Sequence, residues 1–213
     1  AMVAVATQGA SIVTPHMAEG ATTDDTRPAF TGTAEANSTV VVYDDGVEIG
    51  RVPADASGHW TFTPATALSE GPHRITVAAI DRAGNTSAPS DPFGFTVDTT
   101  APTQTATLTA LGKDSGTSDS DFLTNDGSAG RLMRGSLSAP LGAGETLLVS
   151  TDGGATWKPA IVTGDKWSAQ DDHSHAGGWT VQTRVVDAAG NAGPANSHTV
   201  ALDTTAPAAP TSM

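Results

Sequence analysis

The chain has 213 residues, a mean hydropathy of −0.15, no cysteine and a formal net charge of −13. Three Lys and seven Arg stand against 23 acids, so there is no basic face for a phosphate backbone, and nucleic acid is excluded as a partner. Without cysteine there is no disulfide framework, and no apolar run is long enough to cross a bilayer as a helix, so membrane insertion is not expected.

The acids are biased, because 18 of the 23 are Asp. Glu suits helices, whereas Asp suits turns and supplies short, rigid oxygen ligands at loop tips. No window sustains apolar spacing at three and four residues, so almost no helix is expected.

In chain order, residues 3–13 offer a first strand, and 14–28 form a long loop carrying Asp24 and Asp25. Short β-rich runs follow at 29–34, 39–43, 47–52, 59–63, 74–80 and 93–97, separated by turns such as Asp44-Asp45-Gly46, Asp55 to Gly58 and Asp81 to Pro89. About seven strands punctuated every 8–12 residues describe an immunoglobulin-like β-sandwich. The plan then repeats at 105–111, 132–137, 146–150, 157–162, 166–169, 179–186 and 198–202, with a longer first loop.

The repetition is visible residue by residue. Val97-Asp98-Thr99-Thr100-Ala101-Pro102 returns as Leu202-Asp203-Thr204-Thr205-Ala206-Pro207, and Asp81-Arg82-Ala83-Gly84-Asn85 as Asp187-Ala188-Ala189-Gly190-Asn191. Trp60 matches Trp167, Asp45-Gly46 matches Asp152-Gly153, and Gly32 matches Gly135. Five landmarks in one order mean two copies of one fold, whole domains in tandem and not the short units of a solenoid. The reading is all-β, two tandem immunoglobulin-like sandwiches over 1–98 and 99–203, with 204–213 starting a linker to a following domain. The chain is therefore expected to be an excerpt of a longer array.

In such a sandwich the loop after the first strand and the end of the last strand share one pole. Asp24, Asp25, Asp44, Asp45, Glu70 and Asp98 are expected at the C-terminal pole of the first domain, with Asp187 and Asn191 at the N-terminal pole of the second. Carboxylates converging on a short linker repel unless a cation lies between them, and Ca²⁺ takes six to eight oxygens from flexible donors. The candidate ligands are Asp98, Asp187, Asn191, Asp24, Asp25, Asp114, Asp119, Asp121 and Asp203. The competing reading is turn chemistry, in which Asp side chains close Asx-turns on their own backbone. That reading is preferred for Asp44, Asp45, Asp55 and Asp152, and the metal for Asp98, Asp187, Asp114 and Asp121.

The paired Asp81 to Asn85 and Asp187 to Asn191 elements, the two Asp-Thr-Thr-Ala-Pro linkers and the loop from Asp114 to Asp126 resemble the bacterial immunoglobulin-like repeats of giant surface adhesins, including biofilm-associated proteins exported by type I secretion. The resemblance implies an extracellular stalk of tandem repeats on the bacterial cell surface, stiffened by Ca²⁺ at its junctions. Its partners would be neighbouring repeats of the same chain and, for the parent protein, a host or bacterial surface ligand. The linker aspartates correspond to Asp98 and Asp203, and the long-loop acids to Asp114, Asp119 and Asp121. The first domain departs from the pattern, since its first loop has no Asp-Ser-Gly stretch.

Two other signals compete with this reading. Ser150-Thr151-Asp152-Gly153-Gly154-Ala155-Thr156-Trp157 fits the Asp-box pattern, which resembles hairpin turns of sialidase propeller blades, where it is structural; one copy on two sandwiches makes no propeller, and no enzyme is expected. Asp171-Asp172-His173-Ser174-His175 has spacing for Zn²⁺ but reads better as an exposed polar loop. The second functional class is a carbohydrate- or protein-binding module. Trp60 and Trp167, equivalent in both copies, read as core anchors, and Trp157 and Trp179 as surface candidates.

Overall fold

The computed structural model describes residues 17–118 and 120–209. Two compact units result, Ala1–Thr99 and Thr100–Met213. The expected strand over 3–13 and the candidate ligand Asp119 lie outside the described residues.

Unit 1 contains β1 (Thr22–Thr23), β2 (Phe30–Thr33), β3 (Thr39–Asp44), β4 (Val47–Pro53), β5 (His59–Phe62), β6 (Gly71–Ile80) and β7 (Phe93–Val97). One sheet has the order β1-β7-β6-β3-β4, and β2 pairs with β5 in the facing sheet. Unit 2 contains β8 (Ala106–Leu111), β9 (Leu123–Thr124), β10 (Arg131–Leu137), β11 (Thr146–Ser150), β12 (Lys158–Pro159), β13 (Ile161–Thr163), β14 (Lys166–Asp171), β15 (Trp179–Val186) and β16 (Asn196–Leu202). Its sheets run β13-β14-β10-β8 and β12-β11-β15-β16-β9. Both units are all-β sandwiches of immunoglobulin type.

Alternation explains the layers, since successive side chains on a strand face opposite ways. Along β6, His73, Ile75, Val77 and Ala79 point inward, and along β15 Trp179, Val181, Thr183 and Val185 do. Phe30, Val40, Val42, Trp60, Phe62 and Phe95 complete the core of unit 1; Leu108, Met133, Leu147, Val149, Trp167 and Val200 that of unit 2.

Two short elements were hidden inside stretches read as loops. β1 pairs parallel with β7 (Thr22↔Thr96, Thr23↔Val97), and β9 pairs parallel with β16 (Leu123↔Ala201, Leu202↔Thr124). A two-residue strand has no periodicity to detect, so only its partner defines it. In unit 2, Ala106 at the start of β8 lies beside Asn196 at the start of β16, its carbonyl accepting from the Asn196 amide at 2.9 Å, so the chain enters at one pole and leaves at the other; in unit 1 the described chain runs from β1 to β7 in the same sense.

Candidate functional site

The repeated Asp-x-Ala-Gly-Asn element forms a closed loop in each unit. In unit 2, Asp187 Oδ1 accepts the N–H groups of Ala189, Gly190 and Asn191, each at 2.9 Å, and Oδ2 accepts the Asn191 side-chain amide at 2.9 Å. Unit 1 repeats the pattern: Asp81 Oδ1 accepts from Ala83 and Asn85 at 2.8 Å, and Oδ2 from the Asn85 amide at 2.7 Å. Gly84 and Gly190 close these loops at φ of 90° and 99°, where a side chain would be strained. Burial pushes the Asp187 carboxyl up, but the Asn191 amide and the loop N–H groups outweigh it and hold it below the usual range. The motif is therefore built as a self-satisfied turn. Of the lone pairs of Asp187, one on Oδ2 remains for any further ligand.

At the C-terminal pole of unit 1, Asp24 and Asp25 follow β1, Asp98 follows β7, and Asp44 ends β3 with Asp45 next to it. Asp98 N–H donates to Thr23 O at 2.9 Å, and Asp25 Oδ1 accepts from Arg27 N–H at 2.8 Å. Thr99 Oγ1 donates to Glu70 Oε2 at 2.9 Å. The acids share a pole without being gathered: among the described residues no group of three or more His, Asp or Glu side chains is disposed to hold a metal.

Asp203 stands in unit 2 as Asp98 does in unit 1, its N–H donating to Thr124 O at 2.9 Å and its Oδ1 accepting from Thr205. The long loop before β9 is held by its own polar groups. Asp121 Oδ1 accepts from Leu123 N–H, and Asp114 Oδ2 from Phe122 N–H at 3.3 Å. Asp126 accepts from Ser128 and faces Lys113 at 3.5 Å, and these partners draw its pKa down to about 2, the Ser128 bonds foremost. Asp114 Oδ1 is different: it is buried and has no hydrogen-bond partner. A buried carboxylate oxygen without a donor fits a cation, because such an atom otherwise carries an uncompensated desolvation cost.

The turn readings fare unevenly. Asp55 closes an Asx-turn through Ser57 and His59 N–H. Asp152 holds the Asp box together, accepting from Thr156 Oγ1, Thr156 N–H and Ser150 Oγ, which press its carboxyl far below the ordinary range. Asp44 instead reaches into the domain: its Oδ2 meets His73 Nδ1 at 2.7 Å, while His73 Nε2 meets Ser69 O at 2.8 Å and the ring stacks on Phe95. Both ring nitrogens face acceptors, which suits the imidazolium. Burial pushes His73 down, but the Ser69 carbonyl and Asp44 carboxylate prevail and raise it above its usual value.

Unit 2 has a larger buried polar cluster at its C-terminal pole, and it corrects two expectations. Asp171 is not in an exposed loop. Its Oδ2 pairs with Arg131 NH1 at 2.7 Å and meets His175 Nε2 at 3.0 Å, while its Oδ1 accepts from Thr151 Oγ1 at 2.7 Å and from His173 N–H. Neither side chain of the Arg131–Asp171 pair reaches solvent. Trp179, expected at the surface, is 7% exposed and lies against the His175 ring (4.2 Å, 5°) and the Arg131 guanidinium (4.4 Å). Trp157 is half-buried, its indole N–H donating to Gly154 O and Arg184 lying 4.1 Å above the ring. Trp60 and Trp167 are core residues, as expected.

His73 and Arg131 are absent from the sequence-derived candidates, and Asp171 and His175 were expected in an exposed polar loop. Strand parity carries the signal for three of them: His73, Arg131 and Asp171 occupy inward positions at the ends of runs whose other inward residues are apolar.

The family model described as "Bacterial Ig-like domain" matches twice, over residues 12–99 and 100–204. The chain belongs to that family. No curated relative matches the chain. Among solved structures, the fibronectin(III)-like modules of CbhA from Clostridium thermocellum share 14% identity over 91% of this chain and 93% of that one, with a TM-score of 0.53. A Ca²⁺-stabilized adhesin that helps an Antarctic bacterium bind ice shares 20% identity over 91% of this chain and 48% of that one, at a TM-score of 0.49. A tetra-tandem repeat in the extending region of a large adhesion protein shares 18% over 93% and 50%, at 0.34. This bacterial Ig-like pair thus spans about half of each of those two adhesin chains. At these identities the likeness is one of fold, and the fold and family are those of non-catalytic modules.

Proposed function

We propose that this bacterial Ig-like pair is a spacer from the stalk of an extracellular adhesin on the bacterial cell surface, acting in adhesion or biofilm formation. The observation that carries the reading is the through-going topology of each unit. A module that admits the chain at one pole and releases it at the other can be strung in a linear array with neighbouring repeats, and the repeated Asp-Thr-Thr-Ala-Pro linker supplies the join.

Calcium has a narrower role in this proposal. The long loop before β9 is the favoured site, with the bare Oδ1 of Asp114 as its centre and Asp119 and Asp121 in the same loop. Asp24, Asp25 and Asp98 at the C-terminal pole of unit 1, Asp203 at that of unit 2, and the free Oδ2 lone pair of Asp187 beside Asn191 are secondary ligands. Extracellular calcium modules bind at about 10⁻⁴ to 10⁻³ M, so millimolar Ca²⁺ adds roughly 0.4 to 1.4 kcal/mol per site. That is enough to bias a joint and too little to fold a domain.

Small-angle scattering of the whole chain in about 2 mM Ca²⁺ and in excess chelator tests the reading, a concentration near saturation for such modules. A maximum dimension that holds in calcium and becomes variable in chelator supports a stiffened spacer. Identical curves return the Asp residues to turn chemistry.

A second reading, a carbohydrate- or protein-binding module, is favoured by Trp157, whose half-exposed ring is fixed by Gly154 and Arg184. Binding on a glycan array that disappears in Trp157→Ala would select it.

A further inference from the structure

We propose that the Asp91–Pro92 peptide bond is a built-in scission site, cut by the Asp91 carboxylate at its own carbonyl carbon while the Ser90 hydroxyl holds the carbonyl oxygen. The proposal goes beyond the spacer reading and does not rest on it.

The segment between the Asp81 loop and β7 contains Ser-x-Pro twice, as Ser87-Ala88-Pro89 and Ser90-Asp91-Pro92. Both copies are held against β6 in one way. Ser87 N–H donates to Ala79 O and Ser90 N–H to Val77 O, each at 2.8 Å. In return Ala79 N–H donates to Ser87 Oγ at 3.0 Å and Val77 N–H to Ser90 Oγ at 3.1 Å. Each hydroxyl then donates its own proton to the carbonyl of the next residue, Ser87 to Ala88 O at 2.9 Å and Ser90 to Asp91 O at 2.8 Å. In both copies that carbonyl is the one joined to proline. Packing against β6 accounts for the two serines, but it does not call for a carboxylate at the middle position, where the first copy has alanine. Asp91 and Pro92 are exposed, and the Asp91 carboxylate makes no hydrogen bond or ion pair among the described residues.

An aspartyl carboxylate can close a small ring on its own carbonyl carbon, an attack favoured by proximity. The negative charge that develops on the carbonyl oxygen falls where the Ser90 hydroxyl already donates. The C–N bond then breaks, its electron pair leaves with the Pro92 nitrogen, and that nitrogen takes a proton from solvent. Proline suits the leaving position because its tertiary amide nitrogen is readily protonated. Water opens the cyclic anhydride left on Asp91 and restores its side-chain carboxyl beside a new C-terminal one. Water is the only other reactant.

The cut falls between β6 and β7. After it, β7, the Asp-Thr-Thr-Ala-Pro linker and unit 2 are held to the rest of unit 1 only by the pairing of β7 with β1 and β6 and by the burial of Phe95 and Val97. Asp91–Pro92 is the only Asp-Pro bond in the sequence, and the corresponding stretch of unit 2 has Gly193 before Pro194.

Mass spectrometry follows the cut in the whole chain kept for days at about pH 5, above the usual aspartate value of about 3.9, so that the fold keeps its carboxylates ionised. The expected products are residues 1–91 and 92–213. The same incubation in urea gives the rate without the fold. Ser90→Ala should slow the cut in the folded chain about threefold to tenfold, the worth of one hydrogen bond, and have no effect in urea. Asp91→Ala should abolish it. Ser87→Ala, which removes the matching bonds of the other copy, should leave the rate unchanged and so separates a lost hydroxyl from a loosened segment. A folded chain cut no faster than in urea, equal rates in the parent and Ser90→Ala, equal slowing by Ser87→Ala, or a cut that persists in Asp91→Ala would each overturn the proposal.

Discussion

Gly135 and Trp167 face one another across β10 and β14, and a Cβ on Gly135 would stand 2.4 Å from the indole and 2.0 Å from Thr107 O. Gly32 and Trp60 are the corresponding pair across β2 and β5. Two landmarks that recur in the sequence are thus a cross-strand pair in both units, and in unit 2 the glycine leaves the strand surface bare so that the indole can lie across it. Gly135→Ala should destabilise unit 2 by about 1–3 kcal/mol through overpacking. Urea unfolding of the whole chain followed by tryptophan fluorescence reads the shift, and an unchanged midpoint for unit 2 would contradict the packing.

The buried Arg131–Asp171 pair makes a paired prediction. Asp171→Ala leaves a guanidinium without its counter-charge and should cost about 3–5 kcal/mol. Replacing both residues with apolar ones, Arg131→Met with Asp171→Leu, should recover most of that loss. A double variant as unstable as the single one would mean that Thr151, His173 and His175 depend on the carboxylate more than Arg131 does.

Stability should depend on pH from both sides. His73 is raised in the folded state, so its contribution is complete below the unfolded value of about 6.5 and is lost as pH rises through the higher folded value. Asp171, Asp187 and Asp81 are lowered, so theirs is present above about 3.9 and is lost as pH falls. Thermal melts across pH should peak between these limits, and His73→Gln should flatten the alkaline slope of unit 1. A slope that persists in the variant assigns it to another group.

Calcium should act through Asp114. Added Ca²⁺ is expected to raise the melting temperature of unit 2 by a few degrees, about what 0.4 to 1.4 kcal/mol gives a domain of this size. Asp114→Asn should remove that shift. If the variant responds like the parent, the ion binds elsewhere.

Much of the fold was legible in the sequence because turn residues and β-branched alternation act locally. Thr146–Ser150 and Trp179–Val186 begin and end where the pattern places them. What was not legible depends on partners distant in sequence. Thr22–Thr23 and Leu123–Thr124 are strands only because Thr96–Val97 and Ala201–Leu202 lie beside them. The candidate site was read less well, since an Asp at a loop tip looks the same whether its oxygens meet backbone N–H groups, as in Asp187, or nothing, as in Asp114. His175 is hidden for a related reason: its polar neighbours in sequence suggest solvent, whereas Asp171 and Trp179 enclose it.

Ile80 and Val186 make equivalent bridges, to Thr86 and Ala192, so seven residues upstream His73 and Trp179 occupy equivalent places. The two domains share a strand plan but bury different chemistry at that place. Tandem domains on one chain are prone to trade strands while folding. A hybrid with β6 in the slot of β15 would set the His73 imidazolium against the Arg131 guanidinium, two cations with one carboxylate between them. The mirror exchange would bring Trp179 up to Asp44 and strip that carboxylate of its partner. The mismatch between neighbours therefore makes either exchange costlier than pairing within a repeat.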